Sequence, residues 1–209
     1  MSALPILYSF RRCPYAMRAR LALVSAGIAC ELREILLRDK APTFLETSPK
    51  GTVPVIVTQD SVIEESLDIM EWALAQNDPE GWLDFPPEGH ALIAACDGPF
   101  KTALDRYKYQ NRYDSAPEQE REKAAGFIAT LNAQLDGQPY LYGAKPTLPD
   151  MAILTFIRQF ANTDRAWFDA QAWPHVQDWL TRFTSSDRFT HVMRKYPVWK
   201  EGDTVTIFD

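Results

Sequence analysis

The sequence has few of the residues that build disulfide-bonded or zinc-bound domains. Its 209 residues include three cysteines and three histidines. The cysteines, Cys13, Cys30 and Cys96, are odd in number and far apart, which argues against a disulfide framework and indicates a reducing compartment. There is no Cys-x-x-Cys pair, and the histidines do not cluster at ligand spacing. We therefore expect no metal site.

Long apolar runs and an excess of positive charge are also missing. No stretch approaches the roughly 18 to 20 apolar residues that a transmembrane helix needs, and the beginning of the chain lacks the pattern of a secretory signal. We expect a cytoplasmic protein with no membrane partner. The net charge of −6 disfavours a nucleic-acid partner, because binding phosphates requires a basic face.

The clearest chemical signal is a cysteine at the predicted start of a helix. Residues 4–8 form an apolar run typical of a buried strand, and a helical pattern follows from Pro14 to about Ala26. Proline suits the first helical position, which puts Cys13 at the N-cap. The helix dipole favours the reactive thiolate there. Three nearby arginines, Arg11, Arg12 and Arg18, add positive charge. The alternative interpretation is a buried structural cysteine.

The order of the predicted elements indicates two domains. A strand at 30–36 follows the first helix, and this strand–helix–strand order predicts parallel pairing. A hairpin at 55–58 and 61–63 comes next, and Ser66 then opens a helix. Turn-forming residues at 77–81 and 86–87 indicate a linker. We therefore predict an α/β domain over residues 1–78 and an all-helical domain over residues 88–209.

The second half of the chain has helical patterns throughout. Gly98-Pro99 should interrupt its first helix, and Thr147-Leu148-Pro149-Asp150 matches the start of a capped helix. The apolar run that follows Asp150 predicts a helix at the centre of this domain. Residues 197–209 are interpreted as a tail.

Together, these motifs resemble the glutathione transferase family over the whole chain. They are Cys13-Pro14-Tyr15-Ala16, Val53-Pro54 before a strand, and Glu65-Ser66 at a helix start. The first is similar to the cysteine-type, omega-like members, which have thiol transferase and dehydroascorbate reductase activity. It is also similar to the glutaredoxin active site, with Ala16 in place of the second cysteine. The implied fold is a thioredoxin-like α/β domain followed by a helical bundle.

The resemblance also implies a role for each motif residue in binding glutathione, the expected co-substrate. Cys13 would be the catalytic residue. The backbone of Val53, before a cis Pro54, would pair with the cysteinyl part of glutathione. Its γ-glutamyl ammonium would bind Glu65, its γ-glutamyl carboxylate Ser66, and its glycyl carboxylate Lys40 or Lys50. The alternatives are that Lys40 is a solvated loop charge and that Glu65 only complements the helix dipole.

Three functions stay open at this point. The first is thiol transfer, in which Cys13 forms a mixed disulfide with glutathione. The second is conjugation of glutathione to electrophiles, and the third is a non-catalytic binding module. The second substrate, a small thiol, disulfide or electrophile, is expected near four residues: Phe10, Phe100, Leu104 and Tyr107. A homodimer is expected from the resemblance alone.

Overall fold

The computed structural model describes residues 4–209, so residues 1–3 of the predicted first domain lie outside the described residues. Contacts within the chain define two compact units. The first unit comprises the residues up to Gly81 together with Ser186–Asp209, and the second unit comprises Trp82–Ser185. This division differs from the predicted one at residues 186–209, which pack with the first unit.

A five-stranded mixed sheet forms the centre of the first unit. Its strands are β1 (Ile6–Ser9), β2 (Cys30–Glu34), β3 (Val55–Val57), β4 (Val62–Ile63) and β5 (Ile207–Phe208). They lie in the order β4-β3-β1-β2-β5. β1 and β2 are parallel, with Tyr8 opposite Arg33, and the other neighbouring pairs are antiparallel. The predicted parallel pair and the predicted hairpin are both confirmed.

The described part of the chain contains ten α-helices. They are α1 (Pro14–Ala26), α2 (Pro42–Thr47), α3 (Ser66–Gln76), α4 (Glu88–Ala95), α5 (Lys101–Lys108), α6 (Pro117–Gln134), α7 (Leu148–Ala161), α8 (Arg165–Asp169), α9 (Pro174–Thr184) and α10 (Asp187–Val192). The first three and α10 belong to the first unit, and α4 to α9 belong to the second. The α/β and helical parts therefore follow the predicted order.

α1 is the helix that positions the candidate cysteine. It begins at Pro14, directly after Cys13, and ends at Gly27, whose φ of 66° is left-handed. The Gly27 N–H donates to the carbonyls of Leu23 and Val24, which closes the helix in the manner of a glycine C-cap. Because α1 packs against both α3 and α10, most of its side chains are buried.

The second unit contains two features that were predicted from local sequence. Pro99 lies in a π-helical turn, Cys96–Phe100, between α4 and α5, because proline has no N–H to donate to the helix. Thr147 and Asp150 form a capping box at the start of α7. The buried Asp150 carboxylate also accepts hydrogen bonds from the Leu141 N–H (2.9 Å) and the Trp179 Nε1–H (3.1 Å). Both local predictions are confirmed, whereas the single-turn helix α8 was not predicted.

The interpretation of residues 197–209 as a tail is wrong at the end of the chain. There, β5 pairs with β2, and the Leu32 N–H donates to the Thr206 carbonyl at 2.8 Å. Phe208 is fully buried, with its ring 5.4 Å from that of His191. The strand forms because it covers the free edge of β2 and buries one aromatic side chain.

Within residues 4–209, no helix has both the length and the apolar character needed to cross a membrane. Over the same residues, His, Cys, Asp and Glu side chains form no group of three or more that would hold a metal ion.

The burial of β5 generates a stability prediction. Phe208→Ala should lower the free energy of unfolding by about 3 kcal/mol, because it leaves a cavity beside His191. Ile207→Ala is the matched control, since this side chain is 45% exposed on the opposite face of the same strand. It should cost less than about 1 kcal/mol. Urea unfolding followed by circular dichroism measures both values, and equal costs would contradict this role for β5.

Candidate active site

Cys13 occupies the N-cap of α1, as predicted. Its backbone has an extended conformation, with φ −70° and ψ 123°, and its carbonyl accepts from the Met17 N–H at 2.9 Å. The Cys13 N–H donates to the Phe10 carbonyl at 3.0 Å, which closes the preceding loop. The side chain is half-buried. The thiol therefore lies at the positive end of a helix while remaining partly open to solvent.

The backbone of Val53 faces this thiol. The distance from the Cys13 Sγ to the Val53 carbonyl oxygen is 3.7 Å, and a protonated thiol donates to that oxygen. The peptide bond between Val53 and Pro54 is cis. Both residues are buried and lie directly before β3. The fold thus brings together two motifs that are 40 residues apart in sequence.

Glu65 and Ser66 lie at the amino end of α3. Ser66 is the first residue of this helix and is buried, whereas Glu65 is its exposed N-cap residue. The ammonium of Lys50 donates to the Glu65 carboxylate, and this hydrogen bond raises the pKa of Lys50. The Glu65 carboxylate is therefore already oriented toward an ammonium group.

Arg18 links the two helix ends. It is fully buried in α1, and its Nη1 donates to the Ser66 Oγ at 3.5 Å. The sequence predicted Arg18 only as positive charge near Cys13. Its contact with Ser66 joins residues 48 positions apart in sequence, so no local motif predicts it.

The two candidate lysines lie in different surroundings. Lys50 is exposed and paired with Glu65, whereas Lys40 is half-buried. The Lys40 Nζ approaches Gly51 so closely that a Cβ at that position would be 3.2 Å from it. Gly51 has a φ of 62°, which most other residues adopt only with strain.

The other two cysteines are in different environments from Cys13. Cys30 lies in β2, Cys96 lies in the π-helical turn, and both are fully buried. Burial raises the pKa of Cys30 to about 12, partly offset by the nearby charge of Arg20. These surroundings favour unreactive thiols.

The residues predicted to line a second-substrate pocket are divided between the two units. Phe10 is half-buried in the first unit, with the Arg12 guanidinium 5.5 Å from its ring centre. The other three, Phe100, Leu104 and Tyr107, are buried in the second unit. Phe100 packs at 4.9 Å from the Phe127 ring, as a core aromatic residue does. A pocket at these four residues stays a prediction.

Two functional candidates were missed in the sequence. Arg20 and Glu34 are buried charged residues on α1 and β2. Glu34 accepts a hydrogen bond from the Arg11 N–H at 2.7 Å, just before Cys13. Arg20 lies two residues from Arg18, within a helix whose apolar pattern gives no indication that a charge is buried.

Comparison with known proteins identifies the family. The family model described as "Glutathione S-transferase, N-terminal domain" matches residues 7–82, and that described as "Glutathione S-transferase, C-terminal domain" matches residues 103–182.

Individual relatives agree with these matches. The chloroplastic glutathione S-transferase DHAR3 of Arabidopsis thaliana is 22% identical over 86% of this chain and 68% of its own length. Glutathione S-transferase omega-1 of Rattus norvegicus is 34% identical over 50% of this chain and 39% of its own length. A glutathione transferase family member from Pseudomonas fluorescens, solved with two glutathione molecules bound, has a TM-score of 0.78 at 16% identity. That match covers 91% of this chain and 92% of the solved one.

The chain spans about two thirds of the length of several curated relatives, with values of 68%, 63% and 64%. The two family models lie in sequence order and together cover most of the chain. The observed order of elements, a mixed α/β unit followed by helices, is also that of the family. The chain therefore belongs to the glutathione S-transferase family of enzymes.

Proposed function

We propose that this protein is a glutathione-dependent thiol transferase in which Cys13 forms a mixed disulfide with glutathione. One observation carries the proposal: a half-buried thiol at the amino end of α1 lies 3.7 Å from the Val53 carbonyl, beside a cis proline. A thiolate at that place is favoured by the helix dipole. It is also next to a backbone segment that a peptide could pair with.

In this proposal, glutathione binds through its two ends and its backbone. The Val53 N–H and carbonyl pair with the cysteinyl part, which places the glutathione sulfur near Cys13. Glu65 binds the γ-glutamyl ammonium, and its present pairing with the Lys50 ammonium supports that role. Ser66, at the amino end of α3, binds the γ-glutamyl carboxylate.

The glycyl carboxylate is assigned to Lys40. Lys50 is the alternative for this role, but its side chain is exposed at the surface. Lys40 is half-buried beside Gly51, whose missing side chain leaves room for the lysine.

The reaction proceeds in two thiol–disulfide exchanges. The Cys13 thiolate attacks the glutathione sulfur of a glutathionylated substrate, which forms the Cys13–glutathione disulfide and releases the substrate thiolate. The thiolate of a second glutathione then attacks the bound glutathione sulfur, which releases oxidised glutathione and restores the Cys13 thiolate. Ala16 stands where a second cysteine would resolve the disulfide, so the mechanism is monothiol.

The substrate class and the homodimer follow from the resemblance, and the location follows from the sequence; all three belong to the same proposal. The protein acts on a small thiol, disulfide or electrophile, functions as a homodimer, and works in the cytoplasm. Glutathione is consumed as a co-substrate.

Selective alkylation tests the reactivity of Cys13. At about pH 6, iodoacetamide should modify Cys13 at least ten times faster than Cys30 or Cys96, because thiolate character and access both favour it. Cys30 should stay unmodified in the folded protein up to about pH 9, since its pKa of about 12 leaves little thiolate there. Peptide mass spectrometry reads each site. Similar rates at all three, or a spared Cys13, would contradict the proposal.

Glutathione affinity tests the assignment of Glu65. Glu65→Ala should weaken binding by about 1–3 kcal/mol in calorimetric titration, the scale of a lost charged hydrogen bond. Asp68→Ala is the matched control, because Asp68 is an exposed acid in the first turn of the same helix. It should leave the affinity unchanged. Equal losses in both variants would show that Glu65 acts only through the helix dipole. Lys40→Ala should weaken binding less than Glu65→Ala.

Kinetics with a glutathione mixed disulfide test the mechanism. The wild type should show ping-pong kinetics, and Cys13→Ser should lower thiol transfer by about a thousandfold or more, since a serine hydroxyl is barely ionised at neutral pH. Cys96→Ala, in the second unit, is the control with unchanged kinetics. Conjugation to a chlorinated aromatic should survive Cys13→Ser, because the hydroxyl still donates to a glutathione thiolate. Survival of both activities would make conjugation the function.

A further inference from the structure

Arg20 places a positive charge inside the first unit and binds the loop that precedes Cys13. Its side chain is only 2% exposed. The Nη2 donates to the Arg11 carbonyl at 2.7 Å, and the Nη1 donates to the Ser9 Oγ. The Nε donates to the Val192 carbonyl at 2.9 Å, at the end of α10. One guanidinium therefore joins β1, the cysteine loop and the last helix.

Two side chains of opposite charge bind the backbone of Arg11. The Arg11 carbonyl accepts from Arg20, and the Arg11 N–H donates to the Glu34 carboxylate at 2.7 Å. Glu34 itself is buried in β2. Cys13 follows two residues later, and its own N–H bonds back to Phe10, so these contacts constrain the loop backbone up to Cys13.

Ionisable groups on several elements interact electrostatically with Arg20. They are Glu34 and Cys30 on β2, Arg11 and Cys13 on the loop, and Tyr196 after α10. Burial lowers the pKa of Arg20 to about 10, while Glu34 and Cys13 act in the opposite direction. The guanidinium is thus charged at neutral pH. Because the guanidinium binds the Arg11 carbonyl, two residues before Cys13, its charge lies close to the cysteine loop, and a nearby cation favours a thiolate.

We propose that Arg20 is a positioning residue for Cys13: its guanidinium fixes the loop at residues 9–13 and stabilises the thiolate, and Glu34 is its counter-charge. The inference deepens the proposed thiol transfer and rests on it only for the role of the thiolate in turnover. A purely structural Arg20 would contribute stability without changing the acidity of the thiol.

The test is the rate of Cys13 alkylation by iodoacetamide across about pH 4 to 10, from which the midpoint of thiolate formation is read. Arg20→Met should raise this midpoint by about one pH unit, because the neighbouring cation is lost. Glu34→Gln should lower it by about half a unit, since the counter-charge is removed while the amide oxygen still accepts from Arg11. Midpoint shifts of opposite sign in the two variants would show an effect of charge, because loosened packing would not shift the midpoint in opposite directions.

Two further variants separate positioning from charge. Arg20→Lys keeps the cation but loses the planar fork, so the midpoint should stay near the wild-type value while kcat for thiol transfer falls about tenfold. Arg188→Lys is the matched control, because its guanidinium also anchors α10, through an ion pair with Glu80. It should change neither quantity. Thermal unfolding confirms that each variant is folded.

Several results would overturn the inference. They are an unchanged midpoint in folded Arg20→Met, shifts of the same sign in Arg20→Met and Glu34→Gln, or the same loss of kcat in Arg188→Lys. If Arg20→Met does not fold, an unchanged midpoint in Glu34→Gln overturns it. Alkylation needs no glutathione, so a wild type without thiol transfer but with the expected midpoint shifts would refute the proposed function alone. An ordinary thiol midpoint for wild-type Cys13 would refute both.

Discussion

The close approach of the α1 amino end to the Val53 carbonyl is the constraint on which the candidate site depends. It fixes the Cys13 sulfur at 3.7 Å from a backbone oxygen, between a helix N-terminus and a cis proline. Packing holds α1 in this position, because the helix is buried against α3 and α10. Its two buried arginines also bind these neighbours, Arg18 through Ser66 and Arg20 through the Val192 carbonyl. The thiol is thus positioned by a buried helix while remaining partly accessible, as a nucleophile requires.

Exposed and buried charged residues have different roles in the proposed glutathione site. The Lys50–Glu65 pair is exposed and therefore screened by water, so a ligand ammonium would displace Lys50 at little cost. Arg18 and Ser66 are buried, and their geometry is set before any ligand arrives. Arg20 and Glu34 are also buried, and both bind the cysteine loop. Glutathione binding would therefore replace the exposed partner of Glu65 and leave the buried contacts unchanged.

Local sequence predicted the features that depend on neighbouring residues. Pro14 located the N-cap at Cys13, and Thr147 with Asp150 located the start of α7, because each motif is complete within four residues. β5 was missed because its strand is two residues long and gains its stability from β2, more than 170 residues away. The Arg20 and Glu34 contacts were missed for the same reason, since neither residue carries a local sign of its buried partner. The glutathione-binding roles came from the family resemblance and stay proposals.

Mass spectrometry of the intact protein after mild treatment with oxidised glutathione tests the central claim most directly. The Cys13 thiolate attacks one sulfur of oxidised glutathione, retains that half as a mixed disulfide and releases the other as glutathione. The account predicts a single glutathione adduct, located on Cys13 by peptide mapping and removed by added glutathione. A protein that stays unmodified, or that carries the adduct on Cys30 or Cys96, would contradict it.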